Sequence, residues 1–494
     1  MPSSNRTQIA SVLETTVGTT PGTPRMRLRR VNGETLNLVP TFAESGEMRP
    51  DRMSSDVLRI GKQSSGDMPY DMLYPFPDSP NDVDIRSAFY NAFTNTATRF
   101  NDGTADSVIT AVATTGGIVT CTTGPSFVAG QLVRLTGFGV TGNNVVAKCT
   151  TGSATVPAFV GAGLTDEAAP AATARMKVVG FQGASADITA TSTGLGSTAL
   201  DFTTLGISKG MWIKIGGTAT SDKYATAALN GWARVSDTPT ATALPLDHRP
   251  TGWTTDSGTG KTIKVWFGDQ IKNGTTQVGQ TIERGFLGQG TPNYFVHPGM
   301  VVANQAFNFA LNQPITITNT YQGMGGSVST SALDASPDAT LDLSDFPAFV
   351  TRVHVGRLTE GGSTLGTPNF VRAMTIVLNN NSTMIDAIDT EYAQGITGHA
   401  LDVTGTIEPY FGDNALLTKY LAGTATSLAS AVYNSLSKQA LVFAVPRLFF
   451  AGDGSPNASG RNVDVMLPLS WRASKDEDVT SAMITLDRFE YVEN

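Results

Sequence analysis

Between residues 57 and 74 (VLRIGKQSSGDMPYDMLY), Met68, Tyr70 and Met72 alternate with Asp67, Pro69 and Asp71. A two-residue beat of this kind marks a strand that buries one face. Similar runs precede and follow it: TLNLVPTF from Thr35, then TQVGQTIERGF, PNYFVHPGMVVANQAFNFAL and PITITNTYQGM after Phe267. A strand pair is expected at 371–378 and 401–410, and three more strands near 427–433, 440–450 and 479–491. Composition agrees with the pattern. Only 15% of residues are charged, against roughly 25% in typical soluble domains, and Thr, Ser, Ala and Gly fill the gap. A helical bundle would need far more Glu, Lys and Leu. The expected fold class is therefore mainly β, and 494 residues leave room for roughly two to four units.

Two helices are expected. In PNDVDIRSAFYNAF, Ser79 stands as N-cap, Pro80 takes the first helical position, and Asp82 and Asp84 suit the positive helix start. Ile85, Ala88, Phe89, Ala92 and Phe93 then form one apolar stripe, so this helix should cover a sheet. The second starts at Asp413 as N-cap, presents Leu416, Leu417, Tyr420 and Leu421 on one face, and stops at Gly423. Residues 1–30 carry Arg6, Arg25, Arg27, Arg29 and Arg30 against the single acid Glu14, with Pro and Gly between them, and read as an arm or loop. Residues 44–56 (ESGEMRPDRMSSD) are long, charged and poor in core residues, a loop that a compact domain uses only to reach toward something. Residues 331–350 are acidic and read as a surface excursion.

Residues 105–265 change character, with short strand signals in a Thr-, Gly- and Ala-rich background. FVAGQLVRL follows VITAVATTGGIVTC, and ISKGMWIKI follows ITATSTGLGSTALDF, each with a glycine (Gly130, Gly210) just before a strand that holds a basic residue. The offset suits a duplicated small β module, about 105–180 and 181–265, with convergent strand–turn grammar as the alternative. The parse is one β domain, 1–104 and 266–494, interrupted by an inserted β-rich region.

Little in the chain points to catalysis. Cys121 and Cys149 are the only cysteines, too few for a disulfide framework or a Cys-based zinc site, and they read as small buried residues. No leader-like apolar run opens the chain, and nowhere do 18 apolar residues follow one another, so neither a signal peptide nor a membrane span is expected. SGTGKT (257–262) lacks the first glycine of a phosphate loop and leads into TIKVWF, a strand, so it reads as a hairpin turn. His248, His297, His354 and His399 are scattered. Asp334, Asp338, Asp342 and Asp345 lack the glycine-centred loop of a calcium site. A net charge of -8 argues against sequence-reading nucleic-acid binding, which needs a basic footprint. No enzyme activity, cofactor or metal is expected. The stronger signal is assembly: an Arg-bearing arm and a charged loop are costly to order within one monomer, and neighbouring copies could order them at exposed sheet edges.

The segment 44–74 (ESGEMRPDRMSSDVLRIGKQSSGDMPYDMLYP in its fuller run) resembles the tail tube protein, or major tail protein, family of long-tailed, siphovirus-like bacteriophages. Asp51, Arg52, Arg59, Gly61, Ser65 and Gly66 carry the likeness, followed by a helix of the 84–93 type. It resumes at TIERG (281–285), Tyr294-Phe295, Gly299-Met300 and 315–323, and continues through 401–411, 413–423, Pro446-Arg447 and Leu467-Pro468-Leu469. The resemblance implies a β-sandwich or barrel of two roughly orthogonal sheets flanked by a helix, a fold shared with type VI secretion tubes. It implies hexameric rings stacked into a hollow tube, a conduit for genomic DNA and the tape-measure protein, finished by tail tip and tail terminator proteins. The location implied is the virion tail, assembled in the host cytoplasm. The loop would then reach an adjacent subunit or ring through Glu44, Glu47, Arg49, Asp51, Arg52 and Arg59, and the N-terminal arm and C-terminal segment would add stacking contacts. Asp67, Asp71, Asp402 and Glu408 are the candidate lumen-facing carboxylates, and the inserted region would decorate the exterior. The alternative is a glycan- or surface-binding β-sandwich module of a virion or cell surface.

Overall fold

The structure is a computed structural model, and it describes residues 6–51, 53, 56–101, 108–122, 124–339, 347–366, 368–452, 454–456 and 460–493. The first part of the chain supplies β1 (Thr7–Leu13), β2 (Arg27–Leu28), β3 (Asn37–Glu44), β4 (Val57–Asp71) and α1 (Pro80–Phe89). The stretch expected to be a free arm is packed from Thr7 onward. β1 runs antiparallel to a later strand from Thr7↔Phe286 to Leu13↔Gln280, with Ile9 and Ala10 buried and Met26 fully so. The reason lies far away in sequence: Arg29 is buried in an ion pair with Asp84 of α1, so the Arg-rich stretch is partly interior. α1 begins as expected, with Ser79 Oγ accepting the Asp82 N–H at 3.3 Å. It ends earlier than the stripe suggested, at Tyr90 in the left-handed region (φ 50°), which leaves Ala92 exposed.

The region expected at 105–265 begins earlier in the structure, because β5 (Thr98–Phe100) pairs with β11 (Arg175–Gln182); after β5 come β6 (Ile109–Ala113), β7 (Ile118–Cys121), β8 (Gln131–Thr136), β9 (Val146–Lys148) and β10 (Glu167–Ala168). It continues with β11 (Arg175–Gln182), β12 (Thr189–Ala190), β13 (Gly194–Gly196), β14 (Trp212–Ile215), β15 (Gly231–Val235), β16 (Ala243–Asp247) and β17 (Lys264–Phe267). One sheet runs β12-β13-β16-β15-β14-β17-β11-β8-β9, with β5 beside β11, and β10-β6-β7 form a small second one. β8–β11 and β14–β17 are each an antiparallel pair, and the two pairs meet where β11 runs against β17. Gly130 and Gly210 precede β8 and β14 with φ of 92° and 90°. Their N–H groups donate to Cys149 O and Val235 O at 2.8 and 2.9 Å, so the same left-handed turn opens both strands. Residues 257–262 form a turn, with Gly258 and Gly260 at positive φ, and lead into β17.

The remainder forms β18 (Asp269–Lys272), β19 (Gln280–Phe286), β20 (Asn293–Phe309), β21 (Thr316–Gly323), β22 (Ser327–Ser329), α2 (Thr351–His354), β23 (Val355–Glu360) and β24 (Ser363–Thr364). Then come β25 (Val371–Asn379), β26 (Thr383–Ile385), β27 (Gly395–Thr397), β28 (Asp402–Pro409) and α3 (Ala415–Ala422). β29 (Thr426–Asn434), β30 (Gln439–Ala451), β31 (Leu469–Ala473) and β32 (Thr485–Phe489) complete it. β32 is shorter than the strand expected over 479–491. α3 ends at Gly423 in the left-handed region. Its N-cap position is Asn414 rather than Asp413; Asp413 Oδ1 still accepts the Ala415 N–H at 2.9 Å. Leu416 is buried, but Leu421 turns to solvent.

These strands fold into a sandwich. A first sheet runs β3-β4-β21-β20-β25-β28-β31, and a second runs β24-β23-β29-β30-β32-β18. β30 joins them, pairing with β32 through its first half and β31 through its second. The core between the sheets takes Met68, Tyr70, Ile317, Phe307, Ile376 and Ile407 from the first, and Leu428, Leu441, Phe443 and Leu486 from the second. Phe307 and Phe443 meet across it at 5.0 Å. The other side of the second sheet joins the inserted region's core through Ala429, Ala431, Ala440, Val442 and Ala444. The layers are thus first sheet, core, second sheet, core, inserted region. The C-terminal segment closes onto that last layer: Glu490 pairs with Arg175, and Glu493 with Lys264.

Candidate functional site

The side of the first sheet that faces away from its core is mainly polar, with Pro69, Ala306, Ala373 and Val377 set among the polar residues. Cross-strand registers define its rows. One row reads Asp67, Thr320, Asn304, Asn379, Asp402 across β4, β21, β20, β25 and β28. The next reads Pro69, Thr318, Ala306, Val377, Thr404, Arg472, and the one after reads Asp71, Thr316, Asn308, Thr375, Thr406, Ser470; both end on β31. Glu408 lies opposite Ala373 on the same side. All four carboxylates selected from sequence therefore sit on one face, although they come from strands more than 300 residues apart. Period-2 alternation does this: Met68 and Tyr70 point into the core, so Asp67 and Asp71 point out, and Val403 and Ile407 do the same for Asp402 and Glu408. Short Thr and Asn side chains fill the spaces, with Thr375 and Thr406 hydroxyls 2.9 Å apart. Asp71 accepts from Asn32 Nδ2 at 2.8 Å, and Asp402 is paired with Arg472 at the margin.

The second surface is the β3–β4 hairpin. Its inner half is anchored by Ser64, Met68 and Tyr70. Its outer half is exposed and apolar. Phe42 is 55% exposed, Ile60 63% and Met48 96%, with Val39, Met53, Val57 and Leu58 also open. Within 44–56 the apolar side chains are the exposed Met48 and Met53, consistent with a loop poor in core residues; the rest of the apolar surface lies on the flanking strands β3 and β4. The register shifts between Thr41 and Phe42, leaving Ile60 as the extra residue of a bulge, a device that twists a strand edge. The charged candidates are largely engaged within the chain. Arg49 pairs with Asp51 at 2.7 Å, and this ion pair raises the arginine pKa and lowers the carboxyl. Arg59 and Lys62 both pair with Glu391. Glu44 lies exposed opposite Val57, and the Glu47 N–H donates to Ser45 Oγ at 3.4 Å. Arg52 lies outside the described residues. Among the described residues the register of β3 runs against β4 alone, so its other edge presents unpaired backbone groups.

Sequence reasoning did not find the network that joins the inserted region to the sandwich. Lys177 of β11 donates to Asp269 at 2.7 and 2.9 Å, and Arg488 Nε reaches the same carboxylate at 2.8 Å. Arg488 also binds Asp82 of α1. Burial alone would raise the Asp269 carboxyl, but Lys177 and Arg488 outweigh it and hold it low. These partners are 92 and 219 residues from Asp269, and no local pattern links them. The acidic 331–350 stretch is likewise engaged: Asp338 meets Arg25 at 3.0 Å, and Asp334 accepts the Met26 N–H at 2.9 Å. Asp342 and Asp345 lie outside the described residues. Cys121 and Cys149 are buried free thiols, pushed up to about 11 by burial. Among the described residues no group of His, Cys, Asp and Glu could hold a metal ion, and no helix is long and apolar enough to cross a membrane.

The family model for phage tail tube protein matches residues 4–473. The chain belongs to that family. A comparison with curated proteins finds no match. As a phage tail tube protein it is a structural component, not an enzyme, and it works as part of a virion tail together with other tail proteins. The match runs through the inserted region as well as both parts of the sandwich. Neither exposed surface is therefore a pocket for chemistry; both are surfaces that an assembly can use.

Proposed function

We propose that six copies of this tail tube protein close into a ring, that rings stack through the β3–β4 hairpin, and that the polar face of the first sheet lines the bore. The observation that carries this reading is the joint placement of Asp67, Asp71, Asp402 and Glu408 on one face of short polar side chains. A wall of that kind, repeated around a ring, carries an excess of carboxylates that repels phosphates, and its marginal cation, Arg472, is already paired with Asp402. The free edge of β3 supports closure by strand pairing between neighbours, which removes an exposed edge. The exposed Phe42, Val57, Leu58 and Ile60 support an apolar contact with the adjacent subunit or ring. The layer order favours an exterior position for the inserted region, because it covers the sandwich on the side opposite the polar face. The repeated β8–β11 and β14–β17 arrangement supports its origin as a duplicated module. On this reading the tape-measure protein and genome pass through the bore, and tail tip and terminator proteins meet the end rings.

The test is a charge reversal inside the bore. Tubes carrying Asp67→Lys, Asp71→Lys and Glu408→Lys should still form, seen by electron microscopy as rings with an open centre, while phage carrying them should lose infectivity through retained DNA. Unchanged infectivity, or images with this face on the outer wall, would refute the assignment.

A further inference from the structure

At the seam between the inserted region and the β23–β24–β29 margin of the second sheet lies a cavity of about 520 Å³. It is lined by three cations, Lys214, Lys223 and Arg357, and by the aromatic residues Trp232 and Tyr433, with no carboxylate in its wall. Lys214 is only 7% exposed. Its ammonium finds only main-chain oxygens, Glu493 O at 3.4 Å and Ile215 O at 3.5 Å. Glu493 is the carboxylate acting on it, and that group is already used by Lys264 at 3.3 Å and the Thr218 N–H at 3.0 Å. Lys223 has no hydrogen-bond or ion-pair partner among the described residues. Arg357 donates to the carbonyls of Trp232 (2.6 Å), His248 (3.3 Å), Arg249 (3.5 Å) and Gly362 (3.4 Å) and meets no acid.

Concentrating buried cations without a counter-ion is costly. Burial and the Lys223 charge lower the Lys214 ammonium to about 8, as expected where nothing compensates it. Three other buried cations, Arg29, Lys177 and Arg488, each have a buried carboxylate, whereas Arg99 is held by the carbonyls of Thr98, Pro125 and Ala154. An oxyanion entering the cavity would offset the cost with charge-assisted hydrogen bonds. The volume suits a molecule of sugar size, and the aromatic side chains offer apolar surface beside the charges.

We propose that this cavity binds a sugar-sized organic anion, bearing a carboxylate or a phosphate, through Lys214 and Lys223 with Arg357 adding to the positive field. The site stands apart from the proposed bore, on the other side of the sandwich, so it can hold or fail whether or not rings form. Calorimetric titration of the purified protein with glucuronate, glucose 6-phosphate, glucose and inorganic phosphate tests it. At least one of the two anionic sugars should bind with a dissociation constant below about 1 mM, and glucose about tenfold more weakly. Binding by glucuronate alone or by glucose 6-phosphate alone assigns the carboxylate or the phosphate as the recognised group. The half-exposed Lys223 allows a variant that folds: Lys223→Glu should weaken binding about tenfold or more with an unchanged melting temperature. Lys223→Ala should fall between the two. The proposal is overturned if neither anionic sugar binds, if inorganic phosphate binds as tightly as glucose 6-phosphate, or if Lys223→Glu leaves the affinity unchanged.

Discussion

On β28 the residues that face away from the sandwich core are Asp402, Thr404, Thr406 and Glu408; on β29 and β30 they are Ala429, Ala431, Ala440, Val442 and Ala444. Both sets belong to strands whose inward residues, such as Val403, Ile407, Leu428 and Phe443, share one core. The inward faces are equivalent, so the difference lies in what each outward face is kept for. Small apolar residues let a second β layer approach closely and bury its own Trp212, Trp232 and Phe267 nearby. Short polar residues and carboxylates keep the other face wet. One side of the sandwich is committed within the chain, and the other is left for what lies outside it.

The comparison can be broken most sharply with one charge on each side. Ala440→Glu would place a carboxylate in the dry seam between Tyr433 and Phe489, and a loss of about 3–5 kcal/mol is expected. Thr318→Glu, on the polar face between Pro69 and Ala306, should change stability by no more than about 0.5 kcal/mol. Thermal or urea melts of the two variants check this. Equal losses would mean that the polar face is buried within the chain after all.

A titration sharpens the contrast with a smaller effect. Asp487 of β32 lies in the seam, fully buried, accepting from the Trp212 N–H at 3.1 Å and from Gln270 Nε2 at 3.0 and 3.1 Å. Burial pushes its carboxyl up to about 7 against the pull of those hydrogen bonds. Below the unfolded value, near 3.9, the group is protonated in both states and its full contribution is present. Between there and about 7 the unfolded chain gives up the proton and the folded chain keeps it. Stability contributed by this site therefore falls as pH rises through that window, by about 4 kcal/mol in total. Asp487→Asn should remove the fall, measured as the difference between wild-type and variant urea midpoints from pH 4.5 to 7.5. An identical pH profile for the variant would show that the seam around Asp487 is wet.

Much of this contrast was legible in the sequence. Alternation at 67–72 and 401–410 gave both the strands and the side on which their carboxylates lie, and the Thr-, Gly- and Ala-rich block coincides with most of the separate sheet that runs from β5 to β17. The unread parts depend on distance. Nothing near Arg29 announces Asp84, and nothing near Lys177 announces Asp269, so residues 1–30 read as a loose arm although they hold a strand and a buried cation. The Ala stripe of β29 and β30 was visible as strand but not as seam, because alanine is at home on a covered or an open face. In the 44–56 loop the charges drew the eye. Arg49 and Arg59 then found partners inside the chain, and the open surface proved to be the apolar residues on the strands flanking the loop.

The hairpin offers the change with the least effect on folding and the most on assembly. Its outer half is exposed, so replacing Phe42 and Ile60 with Ser removes little buried area and should shift the stability of the protomer by about 0.5 kcal/mol or less. If those side chains are covered by a neighbour, each loses apolar burial worth about 1.5–3 kcal/mol at every contact, and a contact repeated along a tube should fail altogether. Arg59→Glu separates this account from an ionic one. It disrupts only an exposed pair with Glu391, and such pairs contribute about 0–1 kcal/mol, so tubes should persist. Sedimentation velocity and electron microscopy of the double Ser variant beside Arg59→Glu decide the matter. Protomers or single rings from the first, with tubes from the second, are the expected pair. The opposite pair would return the stacking role to the charges, and intact tubes from both would take it away from the hairpin.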